Sequence, residues 1–406
     1  MSSLKKVGKV VLTKIKGDLV DIVFDANGRT TKLIDRIRLA QRIDFILALA
    51  GSEVSDIEGV SAAGSTPELR RQTPAIDADI LLSHLANEQK LPVSPNGIAS
   101  PVVLTKAALS LIPHLTTIVD CGSFSSPQIE HIKAGAEPGK SITTGAALSL
   151  DLVNQLYKAG GELADLLANA ESERAKQIEQ ETLVVLSECV PGGTTTAQAI
   201  FMALGIEAEN LLSSSVPTCN HEQKIAMAKA GIKAAAQRLN IEENSATSYF
   251  KANPLAAIAA VGDPMQAFAV GFISNRNSNT SNIDKTSGNI TILGGGSQML
   301  AVYALANQLA SNKNHQLNNI LVATTRWVAQ DKFAQTAKLA RLVDAPFVAS
   351  SFALTESGHA GLRAYEEGHV KEGVGAGAAI LLANLLAKID APTILQTIDS
   401  FYTALT

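Results

Sequence analysis

The sequence is poor in cysteine, in aromatic residues and in charge of one sign, and each shortage excludes a class of protein. Three cysteines among 406 residues, none of them in a Cys-x-x-Cys pair, do not make a disulfide framework and favour a reducing compartment. Aromatic residues make up only 4% of the chain, and the net charge of -4 comes without a dense basic block, which argues against a nucleic-acid partner. No uninterrupted apolar run is long enough to span a bilayer, and the basic N-terminal stretch is broken before a signal-peptide core forms. We therefore expect a cytoplasmic protein with neither nucleic acid nor membrane as a partner.

Apolar residues are plentiful, at 46% of the chain, and many of them stand in short runs separated by helical patterns. Six such runs predict buried strands near residues 45, 116, 183, 290, 320 and 347. Because helical segments lie between them, the pattern predicts an α/β fold with a mostly parallel, six-stranded, Rossmann-like sheet flanked by helices. Such sheets bind ligands at the carboxyl ends of their strands. The polar strand ends expected at that edge are Asp120, Glu188, Gly294–Ser297, Arg326 and Ser350–Ser351.

The domain organisation follows from the same reading. Residues 1–40 alternate loosely and predict a peripheral hairpin or extension with its turn at Asn27–Gly28. Residues 41–406 are expected to form the α/β domain, with a smaller, mainly helical subdomain built from parts of 70–115 and the C-terminal helices. A helix is predicted over Pro74–His84, and a break or kink is predicted at Gly160–Gly161 in a longer one.

The most informative stretch is LVVLSECVPGGTTTAQAIFMA, residues 183–203. It combines a buried strand, an acidic residue at the strand end, a glycine turn, a hydroxyl cluster and the start of a helix. Glycines let backbone N–H groups approach an anion, hydroxyls donate further hydrogen bonds, and a helix N-terminus adds a positive end. We expect Gly192, Gly193, Thr194 and Thr195 to hold a phosphate and Glu188 to contact a ribose hydroxyl. An ordinary strand–turn–helix with a threonine N-cap is the alternative.

Three other segments carry candidate site residues. Gly294, Gly295, Gly296 and Ser297 follow a strand and would let a ligand approach closely. Lys224 lies in the first turn of a predicted helix, the unfavourable end for a cation, which an anionic ligand would explain; a surface lysine is the alternative. Glu372 stands between glycines before an apolar helix. A dry pocket would raise its pKa as a general base requires, whereas a simple first-turn acid is the alternative.

Neither the cysteines nor the histidines give a second catalytic motif. Cys189 adjoins the glycine turn and is a conceivable nucleophile, although such a cysteine is more often a small packing residue. His359 and His369 match no zinc signature, so no metal site is predicted.

Taken together, six segments resemble the nicotinate-nucleotide:dimethylbenzimidazole phosphoribosyltransferase family, and most closely its archaeal and cyanobacterial branch of uncharacterised proteins. The resemblance covers most of the chain from about Phe45 onward. The segments are GVSAAGSTPEL (59–69), SECVPGGTTTA (187–197), NPLAAIAAVGDPMQAFAVGF (253–272), ITILGGGSQM (290–299), TTRWVAQD (324–331) and KEGVGAGAA (371–379).

The resemblance implies an activity and roles for particular residues. Such an enzyme moves the ribose 5-phosphate of nicotinate mononucleotide onto a lower-ligand base to give an α-riboside phosphate for cobamide synthesis, as a homodimer and without a cofactor. By motif, Glu372 matches the catalytic glutamate, and Glu188 with Gly192, Gly193, Thr194 and Thr195 matches the ribose-phosphate loop. Lys224 matches a lysine that faces the phosphate, and Ser350 or Ser351 falls near a serine that helps hold the nucleotide.

The chain also departs from the well-studied branch of that family. Residues 189–193 are Cys-Val-Pro-Gly-Gly where that branch has Met-Gly-Ile-Gly-Asn, and residues 120–122 are Asp-Cys-Gly where it has Asp-His-Gly. The acceptor that the resemblance implies is therefore dimethylbenzimidazole or another N-heterocycle such as adenine. Two other functions stay open: a different nucleoside- or nucleotide-processing glycosyl enzyme, and a non-catalytic nucleotide-binding protein on the same fold.

Overall fold

The computed structural model describes residues 12–83, 91, 93–94, 97–135, 137–175, 182–278, 290–313 and 317–406. The strands are β1 (Thr13–Lys14), β2 (Val20–Phe24), β3 (Arg42–Leu49), β4 (His114–Asp120), β5 (Ile132–Lys133), β6 (Thr182–Cys189), β7 (Ile290–Gly294), β8 (Ile320–Thr325) and β9 (Phe347–Ser350). The α-helices are α1 (Arg29–Ile37), α2 (Pro67–Leu82), α3 (Val102–Leu109), α4 (Leu150–Ala175), α5 (Gly193–Ala203), α6 (His221–Leu239), α7 (Ala246–Ala252), α8 (Pro254–Val261), α9 (Pro264–Ser278), α10 (Ser297–Ser311), α11 (Arg326–Ala329), α12 (Thr336–Leu342), α13 (Ala360–Arg363), α14 (Ala376–Ala387) and α15 (Ala391–Leu405). Among the described residues, no helix is both long and apolar enough to cross a membrane.

The strands form one mostly parallel sheet in the order β1-β2-β9-β8-β7-β6-β3-β4-β5. All six predicted runs are strands in it and run parallel to one another, as the run-and-helix pattern requires. The prediction of six strands is wrong, because β5 adds a short parallel strand and β1–β2 add an antiparallel hairpin against β9. Numbered along the chain, the six predicted strands lie in the order 2-1-3-4-5-6 rather than the Rossmann order 3-2-1-4-5-6. The order reverses between β3 and β6, and ligands bind at such a reversal.

Helices cover both faces of the sheet because successive side chains of each central strand point to opposite sides. In β6, Val184 and Leu186 join the core that contains α5, α8, α9 and α10, whereas Leu183 and Val185 join the core that contains α2, α3, α14 and α15. All four side chains are fully buried. A separate helical subdomain made from this second set of helices stays a prediction.

The N-terminal hairpin exists, but the predicted turn at Asn27–Gly28 is wrong. The chain reverses at Lys16–Gly17, between β1 and β2. Asn27 and Gly28 lie in a short 3-10 helix at φ 59° and 80°, and these left-handed residues lead into α1. Residues 1–11 of the predicted hairpin lie outside the described residues.

The helix predicted from Pro74 begins earlier, at Pro67. Thr66 Oγ1 accepts a hydrogen bond from Leu69 N at 3.3 Å, and Pro74 lies inside the helix. Both Thr-Pro pairs carry the same start signal, and the first of them acts as the cap. His84, the predicted end of this helix, lies outside the described residues.

Helix α4 runs through Gly160–Gly161 without the predicted break. Gly160 serves close packing instead: a Cβ on it would stand 2.1 Å from the carbonyl oxygen of Phe268 in α9. In the opposite direction, a Cβ on Gly271 would stand 1.9 Å from the carbonyl oxygen of Tyr157. Glycine is therefore needed here for helix contact, not for a bend.

Candidate active site

One pocket lies at the carboxyl ends of the central strands, beside the reversal in strand order. It encloses about 880 Å³ of empty space, part of it open to solvent. Its wall is formed by residues 60–64, Thr73 and Asp77 of α2, the β6–α5 turn, Ser213–Ser215, Gly296–Gln298, residues 370–374, and Val93, Ser94, Ile98, Ser100 and Pro101.

The structure brings about half of the predicted site residues together. The predicted residues that line the pocket are Glu188, Glu372, Gly192, Gly193, Thr194, Gly296 and Ser297. The predicted residues outside its lining are Thr195, Lys224, Gly294, Gly295, Ser350 and Ser351. Thr195 and Lys224 are fully buried, and Ser350 Oγ is used locally, accepting a hydrogen bond from Phe352 N at 3.3 Å.

Gly294 and Gly295 support the site rather than line it. A Cβ on Gly294 would stand 3.2 Å from Gly375 Cα, so the glycine allows the segment before α14 to cross β7 closely. Gly295 has φ 159°, and a Cβ on it would stand 2.8 Å from Met299 Cγ in α10. Gly294 therefore makes room for the segment that carries Glu372, and Gly295 makes room for the first turns of α10.

Two helices start at the pocket wall. Gly193 and Thr194 begin α5, and Ser297 and Gln298 begin α10. The N–H groups of Gly193 and Thr195 are already used, donating to Val190 O at 2.9 Å and Gly192 O at 2.8 Å. An anion at the β6–α5 turn would therefore depend on Thr194 and on the positive ends of the two helices, and not on the N–H groups of Gly193 and Thr195.

Glu372 is held by four hydrogen-bond donors. Its Oε2 accepts from Thr324 Oγ1 at 3.0 Å and Thr325 N at 2.8 Å, and its Oε1 accepts from Gly373 N at 3.1 Å and Gly377 N at 3.3 Å. Burial raises the pKa of the Glu372 carboxyl to about 7, and these donors oppose the rise. Glu372 is thus a fixed carboxylate that gains and loses a proton near neutral pH.

The backbone around Glu372 has an unusual conformation. Val370, Lys371 and Val374 have φ of 60°, 68° and 55°, in the left-handed region that β-branched residues rarely enter. Backbone contacts hold the segment: Val370 N donates to Ser215 O at 2.9 Å, and Val374 N donates to Glu188 O at 2.9 Å. The last contact ties the Glu372 segment directly to the end of β6.

The Lys371 side chain also holds this segment in place. Its fully buried Nζ donates to Asp331 Oδ2 at 2.7 Å, Ser214 O at 2.9 Å and Val216 O at 3.1 Å. Ser213 Oγ also donates to Asp331 Oδ2, at 2.6 Å. The ammonium is therefore paired and hydrogen-bonded, as a buried charge requires.

Glu188 is the second acidic group of the pocket. Its Oε2 accepts a hydrogen bond from Val190 N at 3.0 Å. Burial, and then the negative charges of Asp263 and Glu372, raise its pKa to about 8. The two glutamates therefore lie within electrostatic range of each other, and ionisation of one disfavours ionisation of the other.

Lys224 is buried close to this site. Its Nζ has no hydrogen-bond partner in the part of the chain that is described, and burial lowers its pKa to about 7. Cys219, Lys371 and Asp331 also affect its pKa. A buried lysine without a hydrogen-bond partner is a candidate for pairing with an anion, but Lys224 does not line the pocket.

Sequence reasoning missed several acidic and amide groups of the site. Asp263 is fully buried and accepts from Thr196 Oγ1 at 2.5 Å and from Gln298 Nε2 at 2.6 Å, while Gln298 lines the pocket. The available signal for Asp263 was the Gly-Asp-Pro turn, residues 262–264, between two apolar helices. Asp77 and Asp331 gave no local signal.

Other candidates lie outside the pocket lining or act structurally. Asp120 Oδ1 accepts from Gly122 N at 3.0 Å and Ser123 N at 2.8 Å, which forms a local turn. Burial raises the pKa of the Cys189 thiol well above its usual range, so the thiol is unsuited to act as a nucleophile. Among the described residues, no group of three or more His, Cys, Asp or Glu side chains is placed to hold a metal ion.

The fold is similar to that of solved structures of one enzyme class. The chain is similar to a nicotinate-nucleotide-dimethylbenzimidazole phosphoribosyltransferase from Thermus thermophilus, with a TM-score of 0.51 and 15% identity over 93% of this chain and 94% of that one. It is also similar to CobT from the same bacterium, with a TM-score of 0.52 and 17% identity over 92% and 95% of the two chains. At this identity the likeness shows the fold alone, an α/β architecture built on a mostly parallel sheet.

Sequence comparison then gives the family. A UPF0284 protein from Nostoc is 37% identical over 377 residues, covering 89% of this chain and 94% of the relative. A UPF0284 protein from the archaeon Saccharolobus islandicus is 37% identical over 359 residues, covering 88% and 92%. The chain belongs to the UPF0284 family, which confirms the resemblance to the archaeal and cyanobacterial branch. No protein-family model matches the chain.

Proposed function

We propose that this protein transfers the ribose 5-phosphate of nicotinate mononucleotide to an N-heterocyclic base, giving an α-riboside phosphate for cobamide synthesis. The main support is the placement of Glu188 and Glu372, which are far apart in the sequence, on the wall of one pocket. The same wall carries the N-termini of α5 and α10. Two acidic residues beside an anion-binding surface suit a reaction that builds positive charge on a sugar attached to a phosphate.

The phosphate would bind at the two helix starts. The hydroxyls of Thr194 and Ser297 can donate hydrogen bonds there, and the helix ends contribute positive potential. Lys224, which lacks a partner among the described residues, would pair with the same anion if the wall near Ser213–Ser215 moved on binding. Binding energy at the phosphate would then orient the sugar carbon between the acidic residues.

The substrates and the two glutamates account for every bond and proton that the reaction changes. The bond from C1′ to the pyridinium nitrogen of nicotinate breaks, and its electron pair neutralises that nitrogen. A bond forms from C1′ to the acceptor nitrogen, and the N–H proton of the acceptor passes to Glu372. Glu188 orients the ribose and stabilises the positive charge that develops on the sugar. Because the leaving group is already cationic, the reaction needs neither ATP nor a metal ion.

We expect inversion at the anomeric carbon. A single displacement from the face opposite nicotinate converts the β-linked mononucleotide into an α-linked product. A nucleophilic intermediate on the enzyme would instead retain the β configuration. The configuration of the product therefore reports directly on the number of displacements.

The experiment is product analysis with the purified full chain, nicotinate mononucleotide and either dimethylbenzimidazole or adenine. We expect free nicotinate and an α-riboside phosphate, identified by mass spectrometry and by NMR of the anomeric proton. Release of nicotinate with free ribose 5-phosphate would indicate a hydrolase. Thermal stabilisation by the mononucleotide without turnover would indicate a non-catalytic binding protein, and a β-linked product would contradict the single displacement. The homodimer and the cytoplasmic location remain predictions that accompany this proposal.

A further inference from the structure

The pocket has a second region that the phosphate and the sugar do not explain. Its wall is made by residues 60–64, by α2 and by five residues between Val93 and Pro101 that the structure describes, and most of its side chains are small or apolar. They are Val60, Ala62, Ala63, Val93, Ile98 and Pro101. A flat heterocycle fits such a surface, since apolar walls with a few polar groups are typical of ligand pockets.

One carboxyl, that of Asp77, stands in this apolar wall. Asp77 is 1% exposed and projects from α2. Its Oδ2 accepts hydrogen bonds from Ser100 Oγ at 2.8 Å and Cys189 Sγ at 3.4 Å. Since Cys189 directly follows Glu188, these contacts place Asp77 beside the end of β6 that carries the acidic group.

The other oxygen of Asp77, Oδ1, is buried without a hydrogen-bond partner among the described residues. Two other buried carboxyls near the site differ: both oxygens of Asp263 and both oxygens of Asp331 accept hydrogen bonds. A buried acceptor that is left unsatisfied destabilises the folded state, because it has lost its hydrogen bonds to water. The contacts with Ser100 and Cys189 both use Oδ2, so they do not account for a buried and unpaired Oδ1.

We propose that Asp77 recognises the acceptor base, with Oδ1 accepting a hydrogen bond from an amino group on the heterocycle. This inference rests on the proposed transfer. The preferred acceptor is then an aminated N-heterocycle such as a 6-aminopurine, rather than one that carries only ring carbons or methyl groups at that position. Burial raises the pKa of Asp77 to about 7, so a donor from the base would favour the ionised form and release a proton on binding.

The test compares three purines that differ at one position: purine, adenine and hypoxanthine. We expect the wild-type protein to prefer adenine over purine by roughly 10- to 100-fold in kcat/KM, the range for a hydrogen bond to a charged group. Asp77→Asn keeps the volume and can still accept from Ser100, but it places an amide N–H₂ where Oδ1 stood. The variant should lose the preference for adenine by about tenfold or more and gain relative activity with the 6-oxo purine.

Asp79→Asn is the matched control, because it makes the same change on the same helix. Asp79 Oδ1 accepts from Gln128 N at 2.7 Å and Ile129 N at 3.0 Å, and Asp79 does not line the pocket. The control should keep the wild-type order of the three bases. Thermal unfolding of both variants shows whether either one is simply misfolded.

The outcomes separate this inference from the proposed function. Transfer to all three purines with the same ratios in wild type and Asp77→Asn overturns the role of Asp77 and leaves the transferase intact. Equal loss with every base would make Asp77 a general structural or catalytic group and would also overturn its role in recognition. No transfer to any base, dimethylbenzimidazole included, overturns the proposed function itself. If Asp77→Asn fails to fold, Ser100→Ala tests the same cluster, because it frees Oδ2 and should change the adenine-to-purine ratio.

Discussion

The Glu372 carboxyl is held in a fixed orientation and has a pKa near neutrality. A carboxylate on the protein surface rarely has both properties, because it is neither buried nor fixed by several donors. Four donors fix its oxygens, while burial raises its pKa to about 7. A general base works best when its pKa lies near the working pH. The residue therefore carries the sharpest test of the mechanism.

Glu372→Gln should lower kcat by roughly a hundredfold or more and leave the affinity for nicotinate mononucleotide largely intact. The amide cannot take the acceptor's proton, but it preserves the size of the side chain. Wild-type kcat/KM should rise with pH through about 7 as Glu372 ionises, and the variant should lose this rise. Steady-state kinetics between about pH 5 and pH 9, a range that brackets the Glu372 pKa, measure both effects. Unchanged turnover in the variant would remove Glu372 from the mechanism.

We expect substitution of Glu188 to raise stability and to lower activity. Its pKa rises from 4.5 to about 8 on folding, so the folded state disfavours its ionised form. Below pH 4.5 Glu188 is protonated in both the folded and the unfolded state, so it does not lower the free energy of unfolding. As the pH rises toward about 8, the unfolded state ionises first and the protein loses stability. Glu188→Gln should raise the unfolding temperature above that of wild type at pH above about 8, with the difference vanishing below pH 4.5, and it should also reduce turnover.

Unfolding midpoints of wild type and variant, measured across this pH range, test the sign. The control is Glu53→Gln, since Glu53 lies on the surface outside the pocket and accepts from Ser141 N. A stability difference between wild type and Glu188→Gln that does not change with pH would show that Glu188 is not held away from its ionised form.

At the scale of elements, the strained segment before α14 is the most specialised part of the chain. Three non-glycine residues with positive φ cost of order 1–3 kcal/mol each, and they persist only where the surroundings impose them. The Lys371–Asp331 ion pair and the backbone bonds to Ser215 and Glu188 provide that constraint. Strain of this kind is concentrated at ligand sites, in agreement with the place of Glu372.

The contact between α4 and α9 gives a prediction with a built-in control. Gly160→Ala should destabilise the protein by roughly 1–3 kcal/mol, because its methyl group would stand 2.1 Å from Phe268 O. The adjacent Gly161→Ala comes no closer than 3.4 Å, to Asn275 Nδ2, and should be neutral or stabilise by up to about 1 kcal/mol through helix propensity. Denaturant unfolding of the two variants measures the difference. Equal effects would contradict the close crossing.

For the whole molecule, the sequence predicts the parallel strands and their order along the chain well. Runs such as Leu183–Leu186 are apolar at every position, which only a strand covered on both faces requires. The spatial order of the strands and the short strands at the ends are not encoded in such local patterns. Pairing between distant segments decides them.

The same division applies to the site. Glu188, Glu372 and the β6–α5 turn were predictable because glycines and strand ends surround them. Asp77 and Asp331 were not, and Asp263 was marked only by its Gly-Asp-Pro turn, because each carboxyl is bonded to a residue from a distant part of the chain. Gly160 shows the reverse error: a local rule predicts a helix break at a glycine that close packing against α9 selects.

In the described part of the chain, the sheet ends on both sides in a two-residue strand that carries a lysine: Thr13–Lys14 at one margin and Ile132–Lys133 at the other. A long strand at the edge of a sheet presents a row of unpaired N–H and C=O groups, which can pair with another chain and cause aggregation. Two residues offer too little of that row for a stable addition, and an incoming strand would have to accommodate the lysine charge. The sheet is therefore protected against growth by intermolecular pairing at both margins, independently of whatever the pocket between them binds.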